Sequence, residues 1–254
     1  MCSRYTITSP IDAFRRLLAF DNALPNLKPD YNVAPTNPVP FVRAPIQSDT
    51  LDQGEGAHQA ASVSGAGQGR VLDFGRWGLI PSWSKQPPDK PLINARSETV
   101  AEKPSFRAAF KRRRCLVPTD GFYEWQAQPA GVKGPKQPWY FRQAGGGPFA
   151  LAGLWEPWLA PDGSDIVTVT VLTGEAPASM RAIHGRAPLI IQPADYGRWL
   201  DHADEATAPV MGLLQPPEDD FFEFWPVDRR MSRVGAHNDA GLIEPLQKER
   251  GLFD

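Results

Sequence analysis

The chain has 254 residues, of which 41% are hydrophobic and 10% aromatic, and its formal net charge at pH 7 is −2. This length allows a sizeable core, and the composition is typical of a globular protein, not of a disordered or fibrous one. No apolar run approaches the roughly 20 residues of a membrane span, and a uniformly basic nucleic-acid-binding surface is excluded by the charge. With no signal peptide apparent and only Cys2 and Cys115 present, we expect reduced thiols in a cytoplasmic protein.

Short strands joined by turns are expected, because the chain contains 27 prolines and 22 glycines. The first strand is predicted at residues 4–8. Ser9 is expected to cap a helix with Pro10 in its first turn, and apolar residues at helical spacing extend this helix to about Phe20. Residues from about 46 to 69 are rich in Ser, Gly, Gln, Ala and Asp without periodicity, which predicts a mobile surface loop.

The second half of the chain has mainly strand-like patterns. Residues 94–98 are predicted to open a helix, and helices are also expected at 105–113, 194–200 and 206–214. Valine and threonine alternate along 166–173, which is typical of a half-buried strand. Further strands are predicted at 115–118, 121–125, 139–143, 149–155 and 222–227. Without a repeat or a linker, the pattern favours one α+β domain over residues 1–254, dominated by antiparallel strands.

The N-terminal residues offer unusual chemistry. If Met1 is removed, Cys2 carries a free α-amine beside its thiol, and this 1,2-aminothiol can condense with an aldehyde and then close a thiazolidine ring. The ordinary pKa values of these groups, about 8 and 8.5, make either group nucleophilic after a modest environmental shift. The alternative is that Cys2 is a buried thiol at the start of a strand.

Four further polar side chains lie in apolar or aromatic surroundings, and the first of them, Asn94, follows the apolar residues 91–93. Glu124 lies between aromatic residues, where desolvation would raise its pKa into a range useful for proton transfer, although strand alternation could equally turn it to solvent. His184 and Arg186 could lie on one side of an extended segment, with an imidazole for proton transfer and a guanidinium for a phosphate. A structural histidine bonded to the backbone is the alternative.

Positive charge is concentrated in residues 94–118, which contain seven basic and two acidic side chains, a net charge of +5 in an otherwise acidic chain. Tryptophan and phenylalanine residues lie near this segment in sequence. A basic groove with aromatic side chains can contact phosphates and stack on bases, so the segment indicates single-stranded nucleic-acid binding. A solvated charged face is the alternative.

Taken together, these segments resemble the SOS response-associated peptidase family, proteins that shield abasic sites in single-stranded DNA. The matching segments, in order, are Met1-Cys2-Ser3-Arg4, Tyr31-Asn32-Val33-Ala34-Pro35, Trp77-Gly78-Leu79-Ile80-Pro81-Ser82-Trp83, Asn94-Ala95-Arg96-Ser97-Glu98, Arg114-Cys115-Leu116-Val117-Pro118, Gly121-Phe122-Tyr123-Glu124-Trp125 and Ile183-His184-Gly185-Arg186-Ala187-Pro188. The resemblance implies a single α+β domain with a twisted, barrel-like and mostly antiparallel sheet, a few flanking helices, and a basic DNA groove beside the N-terminal cysteine.

The resemblance also implies roles for individual residues. Cys2 would be the nucleophile that links to the sugar aldehyde, and Asn94 would hold the terminal amine or a sugar oxygen. Glu124 would shuttle protons, and His184 would protonate the sugar ring oxygen to favour the open aldehyde. The implied DNA-binding residues are Arg4, Arg96, Arg107 and Arg186 at phosphates, Asn32 and Pro35 at the nucleotide site, and Trp83 stacked on a base.

The function implied by the resemblance is covalent capture of abasic sites in single-stranded DNA through Cys2, after removal of Met1, with self-cleavage as one route and lyase chemistry as a further activity. No metal, cofactor or membrane partner is expected, and the protein is expected to be a monomer in the cytoplasm, on the nucleoid when bound to damaged DNA. Ser3, Ser84 and Ala187 depart from the family's usual residues.

Two other functions remain open from the residues alone. N-terminal-nucleophile amidohydrolases and glutamine amidotransferases also begin with Met-Cys and use a terminal amine as a base, but they have no use for the basic segment. The other alternative is a non-catalytic single-strand-binding module in which Cys2 is inert.

Overall fold

The computed structural model describes residues 2–22, 27–46, 69–129, 131–202 and 207–246. The strands in these ranges are β1 Tyr5–Ile7, β2 Asp30–Val33, β3 Pro38–Arg43, β4 Val71–Trp77, β5 Asn94–Arg96, β6 Arg114–Thr119, β7 Gly121–Gln126, β8 Gln137–Gln143, β9 Phe149–Leu159, β10 Asp165–Glu175, β11 Arg186–Pro188 and β12 Phe222–Pro226. The α-helices are α1 Ile11–Leu18, α2 Arg107–Arg112, α3 Tyr196–Leu200 and α4 Ala208–Met211. The predicted loop at 46–69 lies almost entirely outside the described residues.

The strands form two sheets that share one core. In the larger sheet β10, β4, β3, β6 and β9 pair in that order, and β9 pairs again with β10, so that these strands close into a barrel. The short strands β5 and β11 pair with β10 near its end. The smaller sheet has the order β12-β8-β7-β1-β2. Only the pairings of β10 with β4 and β5 are parallel among the described strands, so the predicted barrel-like, mostly antiparallel α+β fold is confirmed.

The two sheets meet where the chain leaves the barrel. β6 ends at Thr119, Asp120 makes the connection, and β7 starts at Gly121 in the smaller sheet. Thr119 Oγ1 donates to the carbonyl of Thr6 in β1 (3.0 Å). Because β1 and β7 pair in register at Tyr5 and Phe122, the start of β1 lies beside β7.

The threonines of β10 are buried, so the expectation of a half-buried strand was wrong. Thr168 and Thr170 are 0% exposed, as are Val169 and Val171 on the other face. Thr168 Oγ1 donates to the carbonyl of Glu156 (3.1 Å) and accepts from the amide of Ile80 (3.1 Å). The segment that follows β4 therefore packs against β10 and satisfies a hydroxyl that would otherwise need water.

Two local predictions about helices were also wrong. Residues 94–96 form strand β5 and not a helix, because Asn94 pairs with Val171 in a parallel ladder, and only a short 3-10 turn follows at Ser97–Thr99. Ser9 does not cap α1, since its amide and its hydroxyl both donate to the carboxylate of Asp120.

The remaining helices agree with the sequence patterns in position. Each of α2, α3 and α4 lies inside its predicted range and is shorter than it. In the parts of the chain that the structure describes, no helix combines the length and the apolar character needed to cross a membrane.

Candidate active site

Cys2 lies at the centre of the candidate site. It is fully buried just before β1, and its thiol donates to the carbonyl of Arg4 at 3.6 Å. The same carbonyl accepts from the amide of Tyr123 in β7 (3.0 Å). Burial raises the pKa of the Cys2 thiol well above its ordinary value, and the negative charge of Glu124 raises this pKa further. The thiol is therefore neutral at physiological pH, and its reaction needs a neighbouring base.

Asn94 reaches Cys2 from β5. Its Nδ2 donates to the carbonyl of Cys2 at 2.7 Å, across 92 residues of sequence. The strand is held by its neighbours, because the carbonyl of Ile93 accepts from the indole of Trp77 (3.0 Å) and from the amide of Val171 (3.2 Å). The Oδ1 atom of Asn94 is buried and accepts no hydrogen bond from a described residue. This oxygen is an acceptor available to an amine or a sugar hydroxyl.

Glu124 lies on β7 and is only 1% exposed. Strand alternation does not turn it to solvent, since its neighbour Tyr123 is also buried. Burial raises the pKa of the Glu124 carboxyl above its ordinary value, and the nearby His184 opposes this shift. A carboxyl group with a raised pKa exchanges protons closer to neutral pH, which suits it to general acid and base catalysis.

His184 lies next to Glu124, with its Nε2 atom 3.9 Å from Oε2 of the carboxylate. The other ring nitrogen, Nδ1, accepts from the amide of Arg186 (3.1 Å) and lies 3.0 Å from the carbonyl of the same residue. The histidine is thus bonded to backbone and also faces a carboxylate. Cys2, Asn94, Glu124 and His184, here called the Cys2 cluster, come from four separate segments of the chain.

Arg186 does not present a free guanidinium. Its Nη1 and Nη2 atoms donate to the two carboxylate oxygens of Glu98 (2.8 and 3.0 Å), and Nη2 also donates to the carbonyl of Thr173 (2.6 Å). A phosphate could use this fork only by displacing Glu98. The Arg186 side chain lowers the pKa of the Glu98 carboxyl, so Glu98 stays ionised.

Arg4 is the basic side chain nearest to Cys2 in sequence, and it is 9% exposed. Its Nη1 atom donates to the carbonyl of Ser3 (2.8 Å), and its buried Nε atom has no hydrogen-bond partner among the described residues. No described carboxylate forms an ion pair with Arg4, and burial lowers the pKa of its guanidinium. A buried cation without a counter-ion is costly, so this guanidinium is ready to bind an anion.

Asn32 and Pro35 belong to β2 and to the turn that follows it. Asn32 Nδ2 donates to the carbonyl of Met231 (3.0 Å) and ties β2 to the C-terminal part of the described chain. Its Oδ1 atom is buried without a partner among the described residues. In the turn after Pro35, Thr36 adopts a left-handed φ of 71°, and its amide donates to the carbonyl of Trp77 (2.8 Å). The turn is therefore attached to the end of β4.

Trp83 is 66% exposed in the segment between β4 and β5. This segment is closed at its base by a bridge between Leu79 and Leu92. Further out, the indole of Trp158 donates to the carbonyl of Ser84 (2.6 Å). Trp83 is thus an exposed aromatic ring on an anchored loop, and Ser84 contributes to that anchor.

The other predicted positions lie on separate elements. Arg96 is exposed at the end of β5 and forms no ion pair with a described carboxylate. Arg107, on α2, lines an open cleft of about 190 Å³ with Ala108, Lys111 and Arg112. Ala187 is fully buried in β11 opposite Gly174, so this departure from the family pattern lies in the core.

Sequence reasoning missed three side chains that hold the site together. Glu98 was part of a matching segment and of the charge count, but no role was predicted for it. Thr173 was assigned to a half-buried strand. Gln126, two residues after Glu124, donates to the carbonyl of Ala182 (3.1 Å) and accepts from the indole of Trp139 (3.1 Å), so it fixes the segment that leads to His184.

No group of three or more His, Cys, Asp or Glu side chains that could hold a metal ion occurs within the described ranges. The chemistry of the Cys2 cluster is that of a thiol, a carboxyl, an imidazole and a carboxamide. These groups can add to a carbonyl carbon and move protons during that addition.

Comparison with known proteins identifies relatives over most of the chain. Residues 1–234 match the family described as SOS response associated peptidase (SRAP). The chain is 32% identical over 247 residues to the abasic site processing protein YoqW of Bacillus subtilis (strain 168), covering 96% of this chain and 99% of that protein. It is 37% identical over 173 residues to the abasic site processing protein HMCES of Xenopus tropicalis, covering 59% of this chain and 50% of that protein.

A crystal structure of a protein from Bacteroides thetaiotaomicron has a similar fold, with a TM-score of 0.75 and 22% sequence identity. The alignment covers 97% of this chain and 100% of that one. At this identity the likeness concerns the fold alone.

Proposed function

Because the chain belongs to the SOS response-associated peptidase family, we propose that it processes abasic sites in single-stranded DNA and captures them covalently through Cys2 after removal of Met1. The observation that carries this proposal is the position of Cys2 beside Asn94, which bonds to its carbonyl, and near Glu124, which faces His184. The names of the relatives support DNA with abasic sites as the substrate.

The proposed reaction uses both nucleophiles of a terminal Cys2. The α-amine adds to the C1′ aldehyde of the open sugar, and the carbinolamine loses water to give a Schiff base. The thiol then adds to the imine carbon while its proton moves to the nitrogen, which closes a thiazolidine ring. The net change is the loss of one water, with no oxidant or reductant.

Each member of the Cys2 cluster has a proposed role in these steps. Glu124 accepts protons from the attacking groups and returns one to the departing hydroxyl, as its raised pKa allows. His184 donates to the sugar ring oxygen and favours the open aldehyde. Asn94 holds the Cys2 carbonyl through Nδ2 and receives the amine or a sugar hydroxyl at Oδ1. Removal of Met1 by self-cleavage would be the peptidase reaction of this chain, and a Schiff base also opens a route to lyase chemistry.

Single-stranded DNA would bind across the cluster and the basic segment. We assign phosphate contacts to Arg4, which lacks a described counter-ion, and to Arg96. Arg186 can contribute only by releasing Glu98, and Arg107 lies in the cleft on α2. Asn32 and Pro35 would line the nucleotide site, and Trp83 would stack on a base. We expect a monomer that acts in the cytoplasm and joins the nucleoid at damaged DNA.

The decisive experiment incubates the protein with a single-stranded oligonucleotide that contains one abasic site. A heat-stable adduct is expected, with the mass of the protein lacking Met1 plus the oligonucleotide minus one water. Cys2→Ala and acetylation of the α-amine should each abolish the thiazolidine. Cys115→Ala, which removes the other buried thiol, should retain it. Wild-type protein with a free Cys2 amine that forms no adduct would refute the proposal.

Two other results would identify the alternative functions. Glutaminase activity without DNA crosslinking would indicate an amidotransferase. If Cys2→Ala kept the whole measurable function as reversible DNA affinity, the protein would be a binding module. The intact mass of each purified protein shows whether Met1 is present, and it is measured as a control in each of these experiments.

A further inference from the structure

The ion pair between Glu98 and Arg186 connects two segments of the candidate site. Both carboxylate oxygens of Glu98 accept from Arg186, which also donates to the carbonyl of Thr173. Thr173 pairs with Arg96 of β5 on one side and with Pro188 of β11 on the other. The guanidinium of Arg186 therefore fastens the end of β5, the strand that carries Asn94, to the start of β11.

The backbone of Arg186 in turn holds the imidazole of His184. Its amide donates to Nδ1 at 3.1 Å, and its carbonyl lies 3.0 Å from the same nitrogen. A ring whose Nδ1 is held by a fixed partner keeps one orientation, and here that orientation directs Nε2 toward Glu124 (3.9 Å). The position of the Arg186 backbone thus decides where the imidazole points.

We propose that Glu98 is a positioning residue for the Cys2 cluster: by clamping Arg186 onto the carbonyl of Thr173, it fixes the backbone contact that orients His184 toward Glu124. This inference rests on the proposed function for its effect on the reaction. Glu98 contacts no reacting atom and acts only through Arg186.

The geometry of the pair supports this role over that of an ordinary surface ion pair. An exposed pair contributes little to stability, whereas a bidentate arginine and carboxylate pair adds geometric specificity. The Arg186 side chain is only 19% exposed, while that of Glu98 is 47% exposed. The effect of Glu98 is therefore expected on the orientation of Arg186 and His184, with little change in unfolding temperature.

The test compares Glu98→Ala and Glu98→Gln with Glu175→Gln as the matched control. Glu175 also pairs with an arginine in this region, Arg181, at 4.0 Å, and both side chains are more than half exposed. For each variant we would measure the crosslinking rate at saturating abasic-site oligonucleotide, the affinity for the same sequence without the lesion, and the imidazole ¹⁵N resonances of His184, assigned with His184→Gln.

The Glu98→Ala variant is expected to form the adduct about 10- to 100-fold more slowly at saturating DNA, the scale expected when a reacting group is misplaced. The His184 resonances should move, and the slower rate should persist at saturating DNA whatever the change in DNA affinity. Glu98→Gln should lie between this variant and the wild type, and Glu175→Gln should match the wild type. In an Arg186→Ala background, loss of Glu98 should have no further effect.

Unchanged rate and unchanged His184 resonances in Glu98→Ala would overturn the proposal. Tighter DNA binding at an unchanged rate would overturn it too, because Glu98 would then compete with a phosphate for Arg186. The ¹⁵N spectrum needs no DNA, so it tests the positioning of His184 even if the wild type forms no adduct, a result that would refute the proposed function separately.

Discussion

The environment of the carboxylate of Glu124 links stability and function at the scale of a single residue. Burial makes its ionised form costly and raises its pKa, although the nearby His184 opposes this shift. The similarly buried Glu156 forms a bidentate pair with Arg113, from Nε to Oε2 (3.0 Å) and from Nη2 to Oε1 (2.9 Å). A carboxyl group whose pKa is raised by burial is a candidate for proton transfer.

The change Glu124→Gln is expected to raise the unfolding temperature at pH 8 and to slow adduct formation. A carboxyl whose pKa is higher in the folded than in the unfolded state stabilises the fold at low pH and loses this contribution as pH rises through the folded pKa. Each kcal/mol gained in the free energy of unfolding raises the unfolding temperature by about 2–4 °C. This gain should vanish below about pH 4, where the carboxyl is protonated in both states. Loss of the acid and base function should slow the reaction by roughly 10²- to 10⁴-fold.

The matched control for Glu124 is Glu156→Gln, which breaks a buried ion pair and should lower the unfolding temperature. Calorimetry at pH 8 and at pH 4 would measure both variants. If Glu124→Gln lowered the unfolding temperature as much as Glu156→Gln does, the charge of Glu124 would be fully compensated in the folded protein.

At the scale of an element, the segment between β4 and β5 combines rigidity with exposure. The Leu79 to Leu92 bridge and the bond from Trp158 to Ser84 fix its course. Trp83 is exposed within this frame, so its ring loses little conformational freedom on binding a base. A binding residue held in place before binding favours higher affinity, here for single-stranded DNA.

We therefore expect Trp83→Ala to weaken binding of single-stranded DNA by about 1–3 kcal/mol, or roughly 5- to 150-fold in Kd. Leu159→Ala is the matched control, since Leu159 has the same exposed fraction of 66% on β9 and has no assigned DNA contact. Fluorescence anisotropy with an undamaged oligonucleotide would measure both variants. Equal affinities for wild type and Trp83→Ala would remove Trp83 from the DNA site.

At the scale of the whole molecule, the strands pack closely where the chain passes from the barrel to the smaller sheet. Gly121 starts β7 at this junction, and a Cβ atom there would lie 2.3 Å from the hydroxyl of Tyr140 and 2.5 Å from the carbonyl of Phe141. The hydroxyl of Tyr140 also bonds to Thr6 in β1 (3.0 Å). The glycine thus allows the three strands of this junction to approach.

The change Gly121→Ala is expected to lower the free energy of unfolding by about 1–3 kcal/mol through overpacking. Gly197→Ala in α3 is the control, because its added Cβ meets no atom within 4 Å and alanine favours a helix. Urea unfolding would compare the two variants. If both were as stable as the wild type, the junction would be looser than these distances indicate.

Some features follow from the sequence because they are local or covalent. The aminothiol of a terminal Cys2 is a property of one residue. The ordered motifs carried the resemblance that implied the family and the barrel-like fold, and the alternation of valine and threonine along 166–173 predicted a strand. Such patterns report periodicity and residue chemistry, which do not depend on distant parts of the chain.

The tertiary structure alone decided which polar groups meet and which are buried. Asn94 bonds to Cys2 across 92 residues, and Glu98 to Arg186 across 88. Residues 94–96 became a strand only because β10 offers a parallel partner, and Glu124 is buried because both sides of β7 are covered. Burial and pairing depend on contacts between segments far apart in the chain, and no local periodicity contains that information.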